Sequence, residues 1–570
     1  MNFFKIVILL VFAKSVFAAP IIIPVGPVGD ADCQFNTAQE AVDSGIINMD
    51  IRMSNQVIID TGIVIADKDV SSLRGGYANC QDAIDDVVDI NFPWTTISNP
   101  FGNGVEISFL VDDFHTILLQ RLLIIQNDIG LKIFNNNLSQ RLTVNLENTD
   151  ITSNRGPGID AKSTVSGIVV NFDNGVISNN NKTNGPHQAI QGGGINCVRS
   201  EINLGEFVTI TNNFSETGGG INLYLCDAYI TAGDANPVNS LQYGIFSNTS
   251  TLRGAGIYIE SSNLIATGTE FHPVSITNNS IIPSTGLITR GGAIAISSDS
   301  NAQFINARID NNTSLSKGGG IYASKEGQAG NPPLVQIGRL PEGCIYGEIC
   351  NSISQNSTTL SASGLANGAA IYLDEGAIMT VAQTLFEENN ALDSSIFKVS
   401  GGSQLGLISD LIINNTNNVD LFDQDDLSSV IVHYSTLADN QVNNYFNVQY
   451  DNNNAQVLEV KGSIIKNGLA TIADLNNDMG NHDAQVACSL VENNDASGVV
   501  QNGTIIGNPG FVDSTNYQLR EDSIALNANC FPVGEFDIAR YDILGVDRFG
   551  SGQADMGAYE MGFLFKDGFE

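Results

Sequence analysis

A short glycine-rich phrase recurs along the middle of the chain and constrains the fold more than any other feature. Each copy places three Gly or Ala residues directly before an isoleucine, at 192–195, 218–221, 254–257, 291–294, 318–321 and 368–371. Side chains alternate after the isoleucine, as in Ile257-Tyr258-Ile259, which is typical of a strand with one buried face. The isoleucines lie 26, 36, 37, 27 and 50 residues apart, which fits one coil, a coil with a loop, or two coils of a solenoid.

A second phrase precedes most of these copies, and in it an apolar residue is followed two or three places later by asparagine. Examples are Ile151 to Asn154, Ile210 to Asn212, Phe246 to Asn248, Ile276 to Asn278, Ile309 to Asn311, Ile353 to Asn356 and Phe386 to Asn389. Glycine suits a turn with positive φ, and an asparagine amide can bond to the same position one coil away. The two phrases predict an all-β chain that folds as a parallel β-helix. A sandwich of antiparallel strands fits less well, because two-residue Asn-Gly or Asp-Gly turns are few.

The N-terminus has the three parts of a secretory signal. Met1 to Lys5 carries one positive side chain, Ile6 to Ala13 is apolar, and Val16-Phe17-Ala18 is a small-residue cleavage site. Residues 1–18 are therefore predicted as a signal peptide cleaved near Ala18, which leaves a protein that is secreted or held at the outer cell surface. No later stretch is long enough to span a bilayer, so no transmembrane segment is predicted in the mature chain.

One short helix is predicted near the start, from Thr37 to Gly45. Thr37 and Glu40 have the spacing of a capping box, and Gly45 stands where a C-terminal cap belongs. We expect this helix to cover the exposed end of the first coil. At roughly 24 to 30 residues per coil, the solenoid should have on the order of 15 to 19 coils. The predicted divisions are a lead and N-terminal cap at 19–49, the β-helix at 50–506, a C-terminal cap at 507–560 and a tail at 561–570.

Eight cysteines, an even number, fit an oxidising compartment. Three pairs each bracket one cap or loop and are the predicted disulfides: Cys33 with Cys80, Cys344 with Cys350, and Cys488 with Cys530. Cys197 and Cys226 follow their isoleucines by two and five residues. Three residues of strand is an offset of about 10 Å, too far for a bridge unless the register slips. No cysteine or histidine spacing is typical of zinc, and neither a metal site nor a cofactor is predicted.

The formal net charge of -36 limits the partners. Such a surface repels nucleic acid and anionic lipid, and it discourages polyanionic sugars unless calcium bridges the two. The partners left are other glycans or a host or neighbouring cell surface, and the protein is predicted to be a monomer.

The repeated phrases also resemble a known group of proteins. Phrases of the Gly-Gly-Ala-Ile type that alternate with Phe386-Glu387-Glu388-Asn389 look like the repeats of the polymorphic outer membrane proteins of Chlamydia and of related bacterial β-helix proteins. The segment from Asn508 to Glu560 is similar to the closing segment of bacterial secreted proteins with a choice-of-anchor domain or right-handed parallel β-helix repeats. The resemblance implies a right-handed, pectin-lyase-like β-helix in a bacterial exported protein. It leaves function open, because that fold hosts adhesins, lyases and hydrolases.

Polygalacturonases on this fold use an Asn-Thr-Asp motif together with paired Asp, Gly-His-Gly and Arg-x-Lys. The chain has Asn148-Thr149-Asp150 but no Gly-His-Gly, and no arginine is followed by lysine two places later. Acidic pairs such as Asp112-Asp113 and Asp425-Asp426 are more typical of solvated turns. A non-catalytic adhesion or glycan-contacting module is therefore predicted. The alternative is a polysaccharide lyase or glycoside hydrolase with a non-standard active site in the irregular loops.

Three tyrosines are the candidate ligand contacts. Tyr258, Tyr322 and Tyr372 each follow the isoleucine of their phrase and are expected to face outward. Stacked rings could hold the apolar faces of a sugar chain while neighbouring amides bond its hydroxyls. Alternatively, the rings only stack on each other or on a loop.

Overall fold

The computed structural model is a right-handed parallel β-helix; the repeats predict the parallel β-helix, and the resemblance implies its hand. It describes residues 19–561 except 57–60, 89–92, 110–114, 137–140, 166, 182–189, 233–242, 270, 283–287, 340–348, 360–366, 393, 418, 426, 450–456, 477–482, 494–498, 501–502, 514, 516, 529–539 and 549–553. The predicted signal peptide lies outside these residues. Among the described residues, no helix has the length and apolar character needed to cross a membrane.

Strands from successive coils stack into three long parallel sheets, which we call A, B and C, and a shorter sheet D. Among the described residues sheet A has 16 strands, of which 15 lie at 49–487, within the expected range of about 15 to 19 coils. Its strands are Ile21–Val25, Met49–Ser54, Val70–Tyr77, His115–Gln120, Leu142–Glu147, Ile168–Asp173, Glu201–Leu204, Asp227–Thr231, Asn263–Thr267, Asn301–Ile305, Leu334–Gly338, Ile378–Ala382, Gln404–Ile408, Ser429–His433, Val457–Lys461 and Asp483–Ala487.

Sheet B follows sheet A within each coil and has 15 strands. They are Thr95–Ile97, Leu122–Ile125, Asp150–Thr152, Gly175–Ser178, Val208–Thr211, Gly244–Phe246, Val274–Thr277, Ala307–Arg308, Asn351–Ser352, Thr384–Glu387, Leu411–Ile413, Thr436–Ala438, Ile464–Lys466, Leu490–Val491 and Ile505–Ile506.

Sheet C contains the strands that follow the glycine phrase, and it has 14 members. They are Ile63–Ala66, Val105–Phe109, Leu131–Asn135, Ile159–Ser163, Ile195–Val198, Ile221–Tyr224, Ile257–Glu260, Ile294–Ile296, Ile321–Ser324, Ile371–Asp374, Phe397–Val399, Asp420–Gln424, Asn444–Gln449 and Thr471–Asn476. Sheet D lies between B and C in six middle coils, with the strands Phe214–Thr217, Thr249–Arg253, Ser280–Ile281, Thr313–Ser314, Ser357–Thr358 and Asn390–Ala391.

The core is built from side chains that stack on the same position one coil away. Ile195, Ile221 and Ile257 are paired in register and fully or almost fully buried. The row continues toward the C-terminus as Phe397 and Phe422, whose ring centroids lie 4.5 Å apart. Alternation along each strand therefore gives one continuous apolar interior, as predicted.

Buried asparagines form a ladder at the corner after sheet B. Each side-chain amide donates to the Oδ1 of the ladder residue in the next coil, over 2.9–3.2 Å. Its members are Asn127, Asn154, Asn180, Asn213, Asn248, Asn279, Asn312, Asn356, Asn389, Asn415 and Asn440. The ladder confirms the expectation that asparagine amides bond between coils.

At three coils the ladder position differs by one residue from the prediction. Asn212, Asn278 and Asn311 have φ of 55°, 57° and 56° and occupy the left-handed turn, whereas the following asparagine enters the ladder. Two neighbouring asparagines thus have different roles, because the first reverses the chain and only the second points into the corner.

The N-terminal helix spans Ala38–Asp43, with Thr37 as its N-cap and a capping box to Glu40, as predicted. The Gln39 amide accepts a hydrogen bond from the Val64 N–H (2.7 Å) and donates to the Val64 carbonyl (3.3 Å). Val64 lies on the first strand of sheet C, so a side chain replaces a missing neighbouring strand at this edge. A second helix, Cys80–Asp85, was not predicted.

Two disulfides join described cysteines. Cys33 bonds Cys80, as predicted, and this bridge ties the segment before the first helix to the start of the second. Cys197 bonds Cys226, with Cα atoms 6.3 Å apart, so the expectation that they are too distant is wrong. The strand ends at Tyr224, and Leu225 with φ of 55° turns the chain, so Cys226 does not lie farther along the strand. Cys350 and Cys488 are each disulfide-bonded, and Cys344 and Cys530 lie outside the described residues.

The segment predicted as a C-terminal cap runs along the flank of the solenoid. Its described residues pack on outward side chains of successive B strands, through one cluster with Leu411, Ile413 and Ala438 and another with Ile464 and Leu490. We call the described residues of 507–561 the C-terminal strap.

Candidate functional site

Tyr258, Tyr322 and Tyr372 lie together on the outer side of sheet C, but they are covered. Their exposed fractions are 3%, 2% and 5%, and Ala295 fills the position between the first two. The rings of Tyr322 and Tyr372 stack with centroids 5.5 Å apart. We call Tyr258, Ala295, Tyr322 and Tyr372 the tyrosine row. Stacking of Tyr322 on Tyr372 is the arrangement that the alternative interpretation of the sequence describes, whereas Ala295 separates Tyr258 from the other two rings.

A column of cations borders the tyrosine row. Arg253, Arg290 and Lys317 each precede the first glycine of a phrase and bridge one another in register. Arg253 lies over the ring of Tyr258 at 5.8 Å, Arg290 over Tyr322 at 5.7 Å, and Lys317 over Tyr372 at 4.4 Å, measured to the ring centroids. The glycine turns place these side chains, since the chain enters each strand from the same corner.

Carboxylates neutralise this column. Glu326 is 7% exposed and contacts Arg253 Nη1 at 2.5 Å and Arg290 Nη1 at 3.6 Å. The Tyr258 hydroxyl donates to Glu260 at 2.9 Å. Burial raises the pKa of Glu326 although both arginines lower it. Burial also raises the pKa of Tyr322 to about 12. The hydroxyls therefore stay protonated and act as hydrogen-bond donors at neutral pH.

The Asn148-Thr149-Asp150 motif has a structural place in the coil. The buried Thr149 hydroxyl donates to the carbonyl of Glu147 at 3.0 Å, and Asp150 accepts from the Val176 N–H at 2.9 Å. Burial raises the pKa of Asp150. Asp425 contacts Lys398 at 2.5 Å, whereas Asp112, Asp113 and Asp426 lie outside the described residues.

An open polar cleft of about 610 Å³ lies at the corner between sheets B and C, near the C-terminal end. Its lining consists mostly of amide and charged side chains with the hydroxyl of Thr416, and the aliphatic side chain of Leu469 is fully exposed. The lining residues are Thr416, Asn417, Asp439, Asn440, Gln441, Val442, Asn443, Lys466, Asn467, Gly468, Leu469, Ala470 and Glu492.

The cleft opens where two structural devices end. Sheet D stops at Asn390–Ala391, and its path continues only as single bridges from Asn390 to Thr416 and from Thr416 to Gln441. The asparagine ladder ends at Asn440, since the next asparagine, Asn467, donates to the carbonyls of Ala470 and Asn493 instead. The corner that sheet D fills in the middle coils is therefore open here.

Three charged residues in consecutive coils shape the cleft. Lys466 Nζ contacts Asp439 Oδ1 at 2.6 Å, and Glu492 accepts from the Gly468 N–H at 2.9 Å. Asp439 also accepts from the Tyr517 hydroxyl of the C-terminal strap at 2.9 Å. Sequence reasoning did not identify this site. The available signal is a charged residue directly before each of Asn440, Asn467 and Asn493.

No protein-family model matches the sequence, and no curated protein matches it significantly.

Proposed function

We propose that the protein is an exported, non-catalytic module that contacts glycans, and that the polar cleft binds a neutral glycan chain. The observation that carries this proposal is the cleft of about 610 Å³ lined by five amides, charged side chains and the Thr416 hydroxyl. Amides and hydroxyls match the hydroxyl groups of a sugar, and an exposed aliphatic side chain suits its apolar face. The net charge of -36 favours a neutral ligand over a polyanion.

Two features support export. The N-terminal sequence has the pattern of a signal peptide, and the described cysteines include two complete disulfides, which persist in oxidising compartments. A protein with an extended polar flank and a cleft suits contact with a cell surface or its glycans.

The test is a glycan array probed with the labelled mature protein, followed by titration calorimetry with the best ligand. Gln441→Ala and Lys466→Ala change the cleft lining and should each weaken binding about tenfold or more, a loss of about 1.4 kcal/mol. Gln336→Ala changes an exposed amide on the outer face of sheet A and is the matched control. If no neutral glycan on the array retains the protein, the proposal is refuted.

A lyase or hydrolase is the second candidate, and the group of Asp439, Lys466 and Glu492 in the cleft is the observation that favours it. A lyase needs a basic group free to take a proton, and the Lys466 amine is held by Asp439 at 2.6 Å. This contact favours binding over catalysis. Release of reducing ends or unsaturated products from a panel of neutral and acidic polysaccharides, lost in Lys466→Ala, would instead establish the enzyme.

A further inference from the structure

The corner between sheets C and A is unusually long beside the tyrosine row. In two other coils, residues 225–226 and 261–262 turn this corner, two residues each. After Ser324 the chain takes the nine residues 325–333 before the next A strand begins at Leu334. We call 325–333 the lid. Its middle residues 327–330 are exposed, whereas the side chain of Glu326 is buried.

Several contacts of described residues hold the lid. The Asp299 N–H donates to the Asn331 carbonyl at 2.9 Å, and the Ile378 N–H donates to the Pro333 carbonyl at 3.0 Å. The Gln328 amide donates to Glu260 at 3.5 Å. Glu326 contacts Arg253 and Arg290, and the Gly327 N–H donates to Glu375. Gln328 bonds Ser298 at 3.2 Å, and the Asn331 N–H donates to Asp299 at 2.7 Å. Other lid contacts are to residues that follow neighbouring strands of sheet C, such as Asp299 and Glu375. Among the described residues of the lid, Glu326 alone forms an ion pair with the cation column.

The two arginines form an incompletely satisfied anion site. Arg253 and Arg290 are paired in neighbouring coils, where like charges repel, and Glu326 compensates both. Each arginine also has a buried Nε with no hydrogen-bond partner among the described residues. A guanidinium presents several donors in a planar fork that matches a carboxylate. The site therefore has donors that Glu326 leaves unused, although Glu260 and Glu375 also lie close enough to raise the pKa of Glu326.

We propose that Arg253 and Arg290 form a binding site for one carboxylate, that Glu326 occupies it in the closed state, and that the ligand is an acidic sugar residue on an otherwise neutral glycan. The tyrosine row lies beneath the guanidinium groups of Arg253 and Arg290 and is buried while the lid is in place. Its rings can meet the apolar face of a sugar only after the lid opens and the guanidinium groups turn toward the carboxylate. The inference rests on the proposed glycan contact but uses a separate site. The net charge of -36 limits the ligand to a single acidic residue, since a polyanion is repelled.

The lid makes Glu326 an internal competitor of the ligand. The apparent affinity of the site equals its intrinsic affinity multiplied by the fraction of molecules with the lid open. Removal of the glutamate side chain abolishes the competition, and binding should become stronger although a charged residue has been lost. Loss of a negative charge beside two arginines also favours an anion, so the gain indicates competition only when it is accompanied by faster hydrogen exchange in the lid.

The experiment compares methyl β-glucuronide with methyl β-glucoside, which differ by a carboxylate in place of a hydroxymethyl group. Binding to the full mature chain is measured by titration calorimetry for the native protein, Glu326→Ala and Glu326→Gln. We expect both variants to bind the glucuronide at least tenfold more tightly than the native protein and neither to prefer the glucoside. Hydrogen exchange at 325–333 should be faster in both variants, and the glucuronide should slow exchange in the neighbouring strands. Glu326→Gln keeps the size of the side chain and supplies the answer if Glu326→Ala does not fold.

Gln336→Ala is the matched control, with an exposed amide outside the lid, and should bind as the native protein does. Any of three results would overturn the inference. In the first, the two sugars bind equally; in the second, removal of Glu326 gives no gain in affinity; in the third, a blocked glutamate peptide binds more tightly than the glucuronide. Cleft variants separate this result from the function proposed above. If Gln441→Ala weakens neutral glycan binding while Glu326→Ala has no effect, only the lid site is refuted.

Discussion

The amide of Asn213 donates to Oδ1 of Asn248 over 3.0 Å, and the same oxygen accepts the backbone N–H of Asn213. A single oxygen in one coil thus satisfies two buried donors of the coil before it. The relationship repeats along the ladder. An asparagine such as Asn248 accepts through its side-chain oxygen from the preceding coil and donates through its amide and its backbone N–H to the next coil, so it connects three coils.

Asn248→Ala removes the acceptor of both Asn213 donors and leaves them buried. We expect the free energy of unfolding to fall by about 2–4 kcal/mol, because unsatisfied buried polar groups retain their full desolvation cost. Urea unfolding followed by circular dichroism measures the change. Asn263→Ala, an exposed asparagine on sheet A, is the control and should stay within about 0.5 kcal/mol of the native protein.

Asp410 is a fully buried carboxylate in a row of hydroxyls. The Thr384 N–H donates to its Oδ1 at 2.8 Å, and Oδ2 is buried with no partner among the described residues. In the next coils the same position is Ser435 and Ser463, whose hydroxyls accept the N–H of the preceding coil at 3.1 Å. Burial raises the pKa of Asp410 well above its ordinary value.

Because that pKa is raised, the folded protein binds the proton more tightly than the unfolded chain. The stabilising contribution of protonated Asp410 is complete when the pH lies below the pKa of aspartate in the unfolded chain, about 4. It is lost as the pH rises through the pKa of Asp410 in the folded protein. Asp410→Ser should therefore increase stability at about pH 7, with a smaller gain at about pH 4. Urea midpoints at both pH values measure the difference. A gain that is equal at both values, or larger at the acidic one, contradicts the assignment. Glu216→Ser, at an exposed carboxylate, should change neither midpoint.

Arg548 fixes the C-terminal strap. It is fully buried, donates to the carbonyls of Gly557 (2.8 Å) and Ala558 (3.1 Å), and contacts Glu560 at 3.5 Å. Burial lowers its pKa, although Asp542 and Glu560 raise it. Arg548→Met leaves the buried acidic partners uncompensated, so the strap should lose about 3–5 kcal/mol of stability.

Limited proteolysis measures this loss, with faster cleavage within the strap and an unchanged β signal from the solenoid. Arg540→Ala breaks an exposed ion pair to Asp547 and is the matched control, with an expected change of about 0–1 kcal/mol. Equal protease resistance of Arg548→Met and the native protein would show that the strap is held by its apolar contacts alone.

Gly219 stands where two neighbouring coils approach closely. A Cβ atom there would lie 2.4 Å from the carbonyl oxygen of Thr249 and 2.5 Å from that of Ala255. Gly219→Ala should destabilise by about 1–3 kcal/mol or more, because backbone atoms of the next coil must move. Gly338→Ala meets no atom within 4 Å and should be neutral or slightly stabilising. Thermal unfolding of both variants tests the contrast, and similar midpoints would refute the close approach.

The sequence predicted the parts of the fold that depend on local sterics. Gly218 and the other first glycines of the phrases have positive φ, and the isoleucines stack in register, as expected. The ladder was predicted in kind but misplaced by one residue at Asn212, Asn278 and Asn311, since neighbouring asparagines are indistinguishable in a pattern. The pairing of Cys197 with Cys226 was missed because the prediction assumed that the strand continues to Cys226. The turn at Leu225 instead brings Cys226 close to Cys197.

The candidate sites depended on contacts that no local pattern contains. The tyrosines were placed on the outer face correctly, but their burial follows from neighbouring cations and from a lid that follows the strand of Tyr322. The charged residues of the cleft are visible in the sequence. That they line an open cleft follows only from the points at which sheet D and the asparagine ladder end.

The sequence by itself determined the coil, because side-chain alternation, glycine turns and asparagine amides act within one repeat and its neighbour. Only the tertiary structure decided what lies outside the coil: the course of the strap, the lid over Arg253 and Arg290, and the open corner beside Lys466. These features join residues from distant coils, and their positions follow from the length and path of each loop, which the repeat leaves free.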